Sequence, residues 1–583
     1  MSSSDSVSAP LSARPTGPPP RWVGLLQRID PAAIIIAAAT AALCFLVFYP
    51  LFWLFYGSFA YGELPLPEVF GQFWNLPGLD RAFQNTLWLV CGTLPLSFLF
   101  ALPLVWITAR TDTPLKGMIE IAAMMPFITP PLIGAVAWAL LAAPRTGLLN
   151  VVAREVGSTA PVLNIYSMSG LIFVMSLYLS PYVFVTVQAV MQRMDASLEE
   201  ASLISGASMA HTVRNIVVPL SMPALLSAGI LVVTRSLEEF AIPGILGAPT
   251  GIYTITTYIY YQAISYVPPR YEVAALLASG LMALTAIFLG IQSRILGRDR
   301  RFTTVSGKGH PPRVIRLGRW RYATLAYALA YIGLTVALPS LVLVYAAFIS
   351  EWGALPFPSN LSFGKLVSTF DPALSVRSGL INSLILAVSG ASLATLLTLI
   401  IGYAINKGSP PVRNTLDFIS AIPLTMPGPV IAVAVLWAYL REPIALYGTL
   451  WILLIAYITH YLPYGVRAMS SSFRQLSPDL EHAAAVCGAG RIAQVRQILL
   501  PLIRPGILAG WMLMFISMIR ELSSSIFLFV PGTETTAVTM LELWQEARFS
   551  EVAILSLTLI FISVCVVMLV RWMSGAAYLS SHR

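Results

Sequence analysis

Few residues in this chain have the types and spacing for chemistry, and most of them are charged groups inside otherwise apolar runs. Arg235, Glu238 and Glu239 sit in one such run, and Arg520 and Glu521 in another. Ionisable groups placed there are costly, so they face a protein interior or a water-filled path and find partners. Arg235 is spaced to meet Glu238 or Glu239 on one helical face. Arg520 and Glu521 are adjacent and point apart, so each needs a partner elsewhere, such as across an interface. Two roles stay open for these groups: an ion pair that holds a gate, or a lock on helix packing. His460, alone in an apolar run, reads as a hydrogen-bonded structural group.

The usual catalytic patterns do not occur. No G-x-x-x-x-G-K-[ST] loop is present to cradle nucleotide phosphates, nor H-E-x-x-H, nor G-x-S-x-G. The four cysteines (Cys44, Cys91, Cys487, Cys565) are scattered without metal or disulfide spacing and read as small apolar residues. The chain therefore reads as a non-enzyme, and neither cofactor nor metal is expected in it.

The strongest signal is a repeated polar island. Leu198–Pro223 (LEEASLISGASMAHTVRNIVVPLSMP) recurs at Leu480–Pro505 (LEHAAAVCGAGRIAQVRQILLPLIRP). Glu199/Glu481, Gly206/Gly488, Ile216/Ile498, Pro219/Pro501 and Pro223/Pro505 share one offset, and so do Glu239/Glu521. Each island lies between long apolar runs. Its small residues allow close approach by a partner, its glycine permits a sharp turn, and its proline is expected to open the next helix. Such an element reads as a docking surface for something outside the membrane.

The elements that must position these residues are membrane spans. Of 583 residues, 57% are hydrophobic and 10% charged, and the mean hydropathy is +0.77; soluble domains carry about 25% charged residues. Apolar runs of roughly 20 residues, enough to cross the hydrocarbon core, recur without any barrel-like alternation. Spans are expected near 31–56, 83–108, 118–143, 165–191, 223–243 and 271–295, then 322–349, 380–405, 415–440, 448–469, 505–530 and 552–573. The fold class is an all-α polytopic membrane protein of two tandem six-helix halves, 31–295 and 322–583. A Ser- and Pro-rich segment, 1–30, reads as a disordered cytoplasmic tail, and 296–321 as a basic cytoplasmic linker. The halves are a direct repeat: Asn85-Thr86-Leu87 matches Asn382-Ser383-Leu384, Arg110 matches Lys407, and Pro126 and Pro130 match Pro423 and Pro427. The prolines predict broken helices, either lining a central pathway or marking simple kinks. Six spans per half put both islands on one side, and the arginines beside them assign that side to the cytoplasm. The net charge of +9 then reflects cytoplasmic loops rather than nucleic-acid binding.

The islands resemble the EAA loop of ABC-transporter permeases, in which E-A-A, three residues, Gly, nine residues and I-x-L-P form a cytoplasmic coupling helix. Glu200, Ala201, Gly206, Ile216 and Pro219 fall on that pattern, as do His482, Ala483, Ala484, Gly488, Ile498, Leu500 and Pro501. Ser202 replaces the second alanine, Val218 replaces Leu, and His482 replaces the motif glutamate, with Glu481 one residue early. The resemblance covers about 80–300 and 380–575 and points to fused two-copy permeases of binding-protein-dependent importers. SLEEFAIPGILGAP with TTYIYYQA, and IRELSSSIFLFVPGTE with LELWQEA, are similar to the ferric-iron permeases. It implies the type I importer permease fold and an inner-membrane location with both termini cytoplasmic. It also implies a homodimeric cytoplasmic ATPase that binds ATP and Mg and docks on both islands, and a periplasmic protein that delivers substrate. Ferric iron is the expected substrate, with thiamine, aminophosphonate and polyamine as alternatives. An ion-driven secondary transporter is the competing class, and a non-transporting scaffold or receptor a third.

Overall fold

A computed structural model describes residues 31–59, 71, 75–192, 194, 196–298, 314–353, 360–371, 375–477 and 479–580. The expected tail, 1–30, and residues 299–313 of the basic linker lie outside the described residues.

The described chain is helical, with two isolated β-bridges and no strands. In the first half the main helices are α1 (Pro31–Phe59), α2 (Leu79–Arg110), the pair α3 (Lys116–Ile128) and α4 (Pro131–Ala142), and α5 (Met168–Met191). They are followed by α6 (Ala196–Ile204), α7 (Met209–Glu238), α8 (Ile255–Tyr260) and α9 (Tyr271–Arg298). The second half runs through α10 (Trp320–Phe348), α11 (Ser375–Lys407), the pair α12 (Pro410–Thr425) and α13 (Gly428–Tyr439), and α14 (Leu450–Arg474). It ends with α15 (Asp479–Val486), α16 (Val495–Ile519), α17 (Thr536–Gln545) and α18 (Phe549–Ser580).

Among the described residues nine helices are long and apolar enough to span a bilayer, and the two broken pairs raise that number to eleven. The remaining expected span is α14, a continuous helix of 25 residues whose His460, Arg467 and three tyrosines make it less apolar than the rest. The breaks fall where the prolines forecast one. α3 and α4 meet at 97° and α12 and α13 at 104°, with Pro130 (ψ 139°) and Pro427 (ψ 155°) extended at the corners. Pro126 stays inside α3, and Pro423 sits in a 3₁₀ turn before the corner.

Two expected spans end early. α7 stops at Glu238, where 223–243 was expected, and α16 stops at Ile519, where 505–530 was expected. Glu239 is already extended (φ −68°, ψ 127°), and Arg520 closes α16 with φ −105°, ψ 8°. The charges therefore lie at the points where two helices unwind rather than in mid-helix. The same physics causes both stops: a carboxylate folds back to accept the next free N–H, from Ala241 to Glu239 (2.9 Å) and from Ser524 to Glu521 (2.8 Å).

Within each half the packing repeats. α2 lies against α5 and α7, and α11 lies against α14 and α16. Lipid offers no hydrophobic drive for this, so close packing decides it. A Cβ on Gly134 of α4 would fall 2.0 Å from the Tyr178 ring of α5. Between halves the packing is reciprocal: α1 rests on α13, and the end of α10 rests on α4. Both islands lie on one side. Thr113, just past α2, bonds Thr324 at the start of α10 (2.7 Å). α10 and α11 then cross away and back, bringing Lys407 to that same side.

Candidate functional site

Each island folds as a short helix, a left-handed glycine and a long helix. In the first, α6 ends with Gly206 at φ +84° and α7 begins after the Ser208 cap; in the second, α15 ends with Gly488 at φ +82°. Matching closures tie both turns: Gly206 N to Leu203 O and Ala207 N to Ser202 O, then Gly488 N to Ala485 O and Ala489 N to Ala484 O, all 3.0–3.1 Å. Side chains with a Cβ disfavour that conformation, which accounts for glycine at both places. Pro219 and Pro501 do not open helices, contrary to expectation. Each follows a π turn, Val213–Val217 or Val495–Leu499, in a chain that stays helical through the proline. The wider turn lets the helix pass a residue without an N–H. Ile216 and Ile498 lie within those turns and are half-buried, while both prolines are exposed.

An acid in each short helix is anchored to the end of the second long helix of its half. Arg110 Nη2 lies 2.7 Å from Glu199 Oε1, with side chains 0% and 6% exposed. Lys407 Nζ lies 2.7 Å from Glu481 Oε1, at 25% and 20%. The sequence paired Arg110 with Lys407 and Glu199 with Glu481 by two different offsets, and only the fold brings the four into two equivalent ion pairs. Ser202, a departure from the alanine pattern, bonds Thr212 across the turn (2.9 Å). The outer faces are apolar and match: Leu198 and Leu480 are 40% and 43% exposed, and Ile204 and Val486 87% and 88%. Ala201 and Ala483 lie on these faces, as do Glu200 and His482, all exposed.

Among the described residues the connection between halves converges on the first anchor. Ile315 N donates to Arg110 O (2.7 Å), Asp112 N to Ile315 O (3.1 Å), and Leu317 N to Asp112 Oδ1 (2.8 Å). Nothing in the sequence flagged this short parallel bridge.

The second cluster lies where α7 and α16 unwind. Arg235 Nη1 donates to Glu238 (2.9 Å), and Nη2 donates to the Tyr464 hydroxyl of the other half. Its guanidinium carbon is 5.8 Å from the rings of both Tyr182 and Tyr464, residues that share the offset of the islands. Of the two acids within reach in sequence, Arg235 takes Glu238 and leaves Glu239. Arg520 donates to the carbonyl of Phe127 (2.6 Å), next to the α3–α4 corner of the first half. Glu521 stays in its own half, accepting from the Tyr461 hydroxyl and from Ser524 N and Oγ. His460 lies against Tyr461, ring centroids 4.6 Å apart and tilted by 57°, and its Nδ1 has no hydrogen-bond partner among the described residues.

The Asn-Thr/Ser repeat holds the segments beyond these breaks. Asn85 Nδ2 donates to Tyr253 O (3.0 Å) and Asn382 Nδ2 to Glu534 O (2.9 Å). Thr86 Oγ1 accepts from Ile255 N (2.9 Å) and Ser383 Oγ from Thr536 N (2.8 Å), capping α8 and α17. The repeat flagged these residues, but not this task. Among the described residues no group of three or more His, Cys, Asp or Glu could hold a metal.

Known proteins resemble this chain over most of its length. The profile described as "Binding-protein-dependent transport system inner membrane component" matches residues 93–302 and 394–576. A ferric transport system permease protein, FbpB, of Actinobacillus pleuropneumoniae is 25% identical over 534 residues, 91% of this chain and 76% of that protein. A putative 2-aminoethylphosphonate transport system permease protein, PhnV, of Salmonella paratyphi A is 22% identical over 231 residues, 40% of this chain and 86% of that protein. A crystal structure of a bacterial ABC transporter that imports alginate, an acidic polysaccharide, aligns at 17% identity with TM-score 0.38, covering 48% of this chain and 99% of that one.

Proposed function

This chain belongs to the family of inner-membrane components of binding-protein-dependent transport systems, and from that premise we propose how it works. It is a fused two-copy permease of an ABC importer, a multi-pass membrane protein that transports and does not catalyse, and it works with a substrate-binding protein. In our reading residues 31–295 and 322–583 are its two halves. α6 and α15 are coupling helices on the cytoplasmic side, where both termini also lie, and each receives one copy of a homodimeric ATPase. ATP and Mg belong to that partner. Nucleotide binding draws the ATPase copies together and with them the coupling helices. Because the nucleotide favours the closed dimer, it shifts the bundle from inward- to outward-facing. The anchors Arg110–Glu199 and Lys407–Glu481 carry that displacement into α2 and α11. The paired helix breaks, with Pro130, Pro427, Arg235 and Arg520, line the pathway and gate it. The substrate is ferric iron, with thiamine, an aminophosphonate or a polyamine as alternatives.

One observation carries the coupling assignment: two exposed apolar faces at matching positions on the same side, each fastened by an ion pair to a long helix. Ile204→Glu and Val486→Glu test it, since both side chains are almost fully exposed. The variants are expected to reach the membrane but to lose the ATP hydrolysis that co-purifies with the chain. Unchanged co-purification in both would remove the docking assignment, and with no co-purifying ATPase at all the ion-driven alternative would take its place.

A further inference from the structure

We infer that a groove between α2 and α10, on the side of the islands, binds an anionic phospholipid of the surrounding bilayer, a partner distinct from the transported solute.

The groove encloses about 340 Å³, with Pro103 and Trp106 of α2 on one wall and Trp320, Ala323, Thr324 and Tyr327 of α10 on the other. The four α10 residues recur at spacings of three and four, so they form one stripe of that helix. The small Ala323 and Thr324 lie between two large rings, which leaves a trough. Its hydroxyls are already spent. Tyr327 donates to Leu99 O and Phe100 O (2.9 and 3.1 Å), and the Thr324 hydroxyl bonds that of Thr113 (2.7 Å). What remains to face an occupant is apolar. From Trp320 to Tyr327 the stripe runs about 10 Å along the helix, roughly a third of the hydrocarbon core and the reach of part of one acyl chain. Trp320, 75% exposed, stands at the mouth in the first turn of α10, at the interfacial depth where tryptophan is enriched.

An apolar trough alone would take any lipid tail, since tails are as apolar as its walls. The mouth supplies the choice. Arg316, Arg319 and Arg321 are exposed there, beside Trp320 in the chain. None of them enters an ion pair among the described residues. Arg321 lies over the Tyr322 ring (4.9 Å) and donates to its hydroxyl (2.9 Å), which leaves further donors on its fork. The nearby acids are engaged. Asp112 accepts from Leu317 N (2.8 Å). Glu120 of α3, which packs beside the start of α10, accepts from Gln188 (2.9 Å). Arg110 and Glu199 satisfy each other. Arg316, Arg319, Arg321 and Lys116 therefore outnumber Asp112 and Glu120. A basic mouth over an apolar trough fits a molecule with a phosphate head, a net negative charge and a hydrocarbon tail. A lipid seated there touches both helices that the Thr113–Thr324 bond and the Ile315 bridge already join, so it favours the folded form and tightens the connection between the halves.

The test titrates the delipidated full chain in detergent with phosphatidylglycerol, phosphatidylcholine or glycerol phosphate. The readouts are the shift of Tm relative to the same variant without ligand and the lipid retained in native mass spectrometry. Phosphatidylglycerol is expected to raise Tm saturably and to be retained in preference to phosphatidylcholine. Replacing the arginines together (Arg316→Gln, Arg319→Gln, Arg321→Gln) should raise its Kd about tenfold or more. Ala323→Leu fills the trough and should abolish the preference with the arginines in place. All four positions are exposed, so both variants are expected to fold. A purely structural role would lower the Tm of the free variant but leave its lipid response intact. Equal responses to the two lipids, or a preference that survives in either variant, overturns the inference. So does a shift of the same size from glycerol phosphate, which would mark a head-group ion site without a tail. No ATPase or solute is needed, so failure of the coupling assignment would leave the outcome readable.

Discussion

Glu199→Ala is the most informative perturbation of the proposed coupling site. Glu199 is 4% exposed and Arg110 0%, so the substitution leaves a guanidinium sealed from water without its counter-charge. Removing one partner of such a pair costs about 3–5 kcal/mol. The cost is relieved when the loop opens and water reaches Arg110, so the expected effect is local: α6 detaches from α2. The equivalent Glu481→Ala acts on a pair 25% and 20% exposed, where water and lysine flexibility take up the charge, and about 1 kcal/mol or less is expected. Native-state hydrogen exchange of the full chain in detergent reads both. The amides of Ala196–Ile204 should exchange roughly two to four orders of magnitude faster in Glu199→Ala, and those of Asp479–Val486 within about tenfold of wild type in Glu481→Ala. Arg110→Met in the Glu199→Ala background removes the orphaned charge and should restore most of the protection, because replacing both partners is far milder than removing one. Equal effects in the two halves, or no rescue by the double variant, would refute the argument that burial sets the strength of these anchors.

Three further outcomes follow from the same geometry. Gly206→Asp and Gly488→Asp force a Cβ into left-handed backbone, at about 1–2 kcal/mol; substrate uptake is expected to fall in both while the protein still reaches the membrane, as immunoblotting of membrane fractions would check. Glu200→Ala should reduce uptake more than His482→Ala, since these exposed residues are where the two docking faces differ; equal losses in a whole-cell uptake assay would count against that asymmetry. Asn85→Ala and Asn382→Ala leave the carbonyls of Tyr253 and Glu534 without those donors, at about 1–3 kcal/mol each, and proteolysis should cut the segments before α8 and α17 faster.

The sequence reading was strongest where a repeat could be counted. Two copies of one polar pattern located both loops and their left-handed glycines, and matching prolines located the broken helices at Pro130 and Pro427, because backbone requirements leave residue-type signatures at fixed spacing. It was weaker wherever a residue's task depends on a distant neighbour. The motif drew attention to Glu200, whereas the adjacent Glu199 makes the ion pair, since its partner, Arg110, lies in another helix under a different offset. The helix ends at Glu238 and Ile519 were invisible for a similar reason. The apolar pattern continues past them, and the carboxylate that turns back to cap the next N–H looks in sequence like one more charge in a span. The π turns before Pro219 and Pro501 have no compositional mark, so an N-terminal proline was the simpler reading.

The two halves are repeats, yet their anchors differ in kind, and this bears on how the symmetric ATPase proposed above would drive them. In the first half the anchor is a sealed guanidinium–carboxylate pair whose arginine also accepts, through its backbone carbonyl, the N–H of Ile315 from the inter-half connection. In the second it is a lysine–carboxylate pair open to water, with no such bridge at Lys407 among the described residues. A planar, buried arginine holds one geometry, whereas a lysine on a flexible stem holds many. Equal displacements of the two coupling helices would therefore reach α2 with little slack and α11 with more. The bridge at Ile315 would pass part of the first displacement to α10, whose far end rests on α4 beyond the broken corner. In the proposed mechanism the first island would then move both halves and the second chiefly its own, and the glutamate-to-histidine change at position 482 falls on the loop with the looser hold.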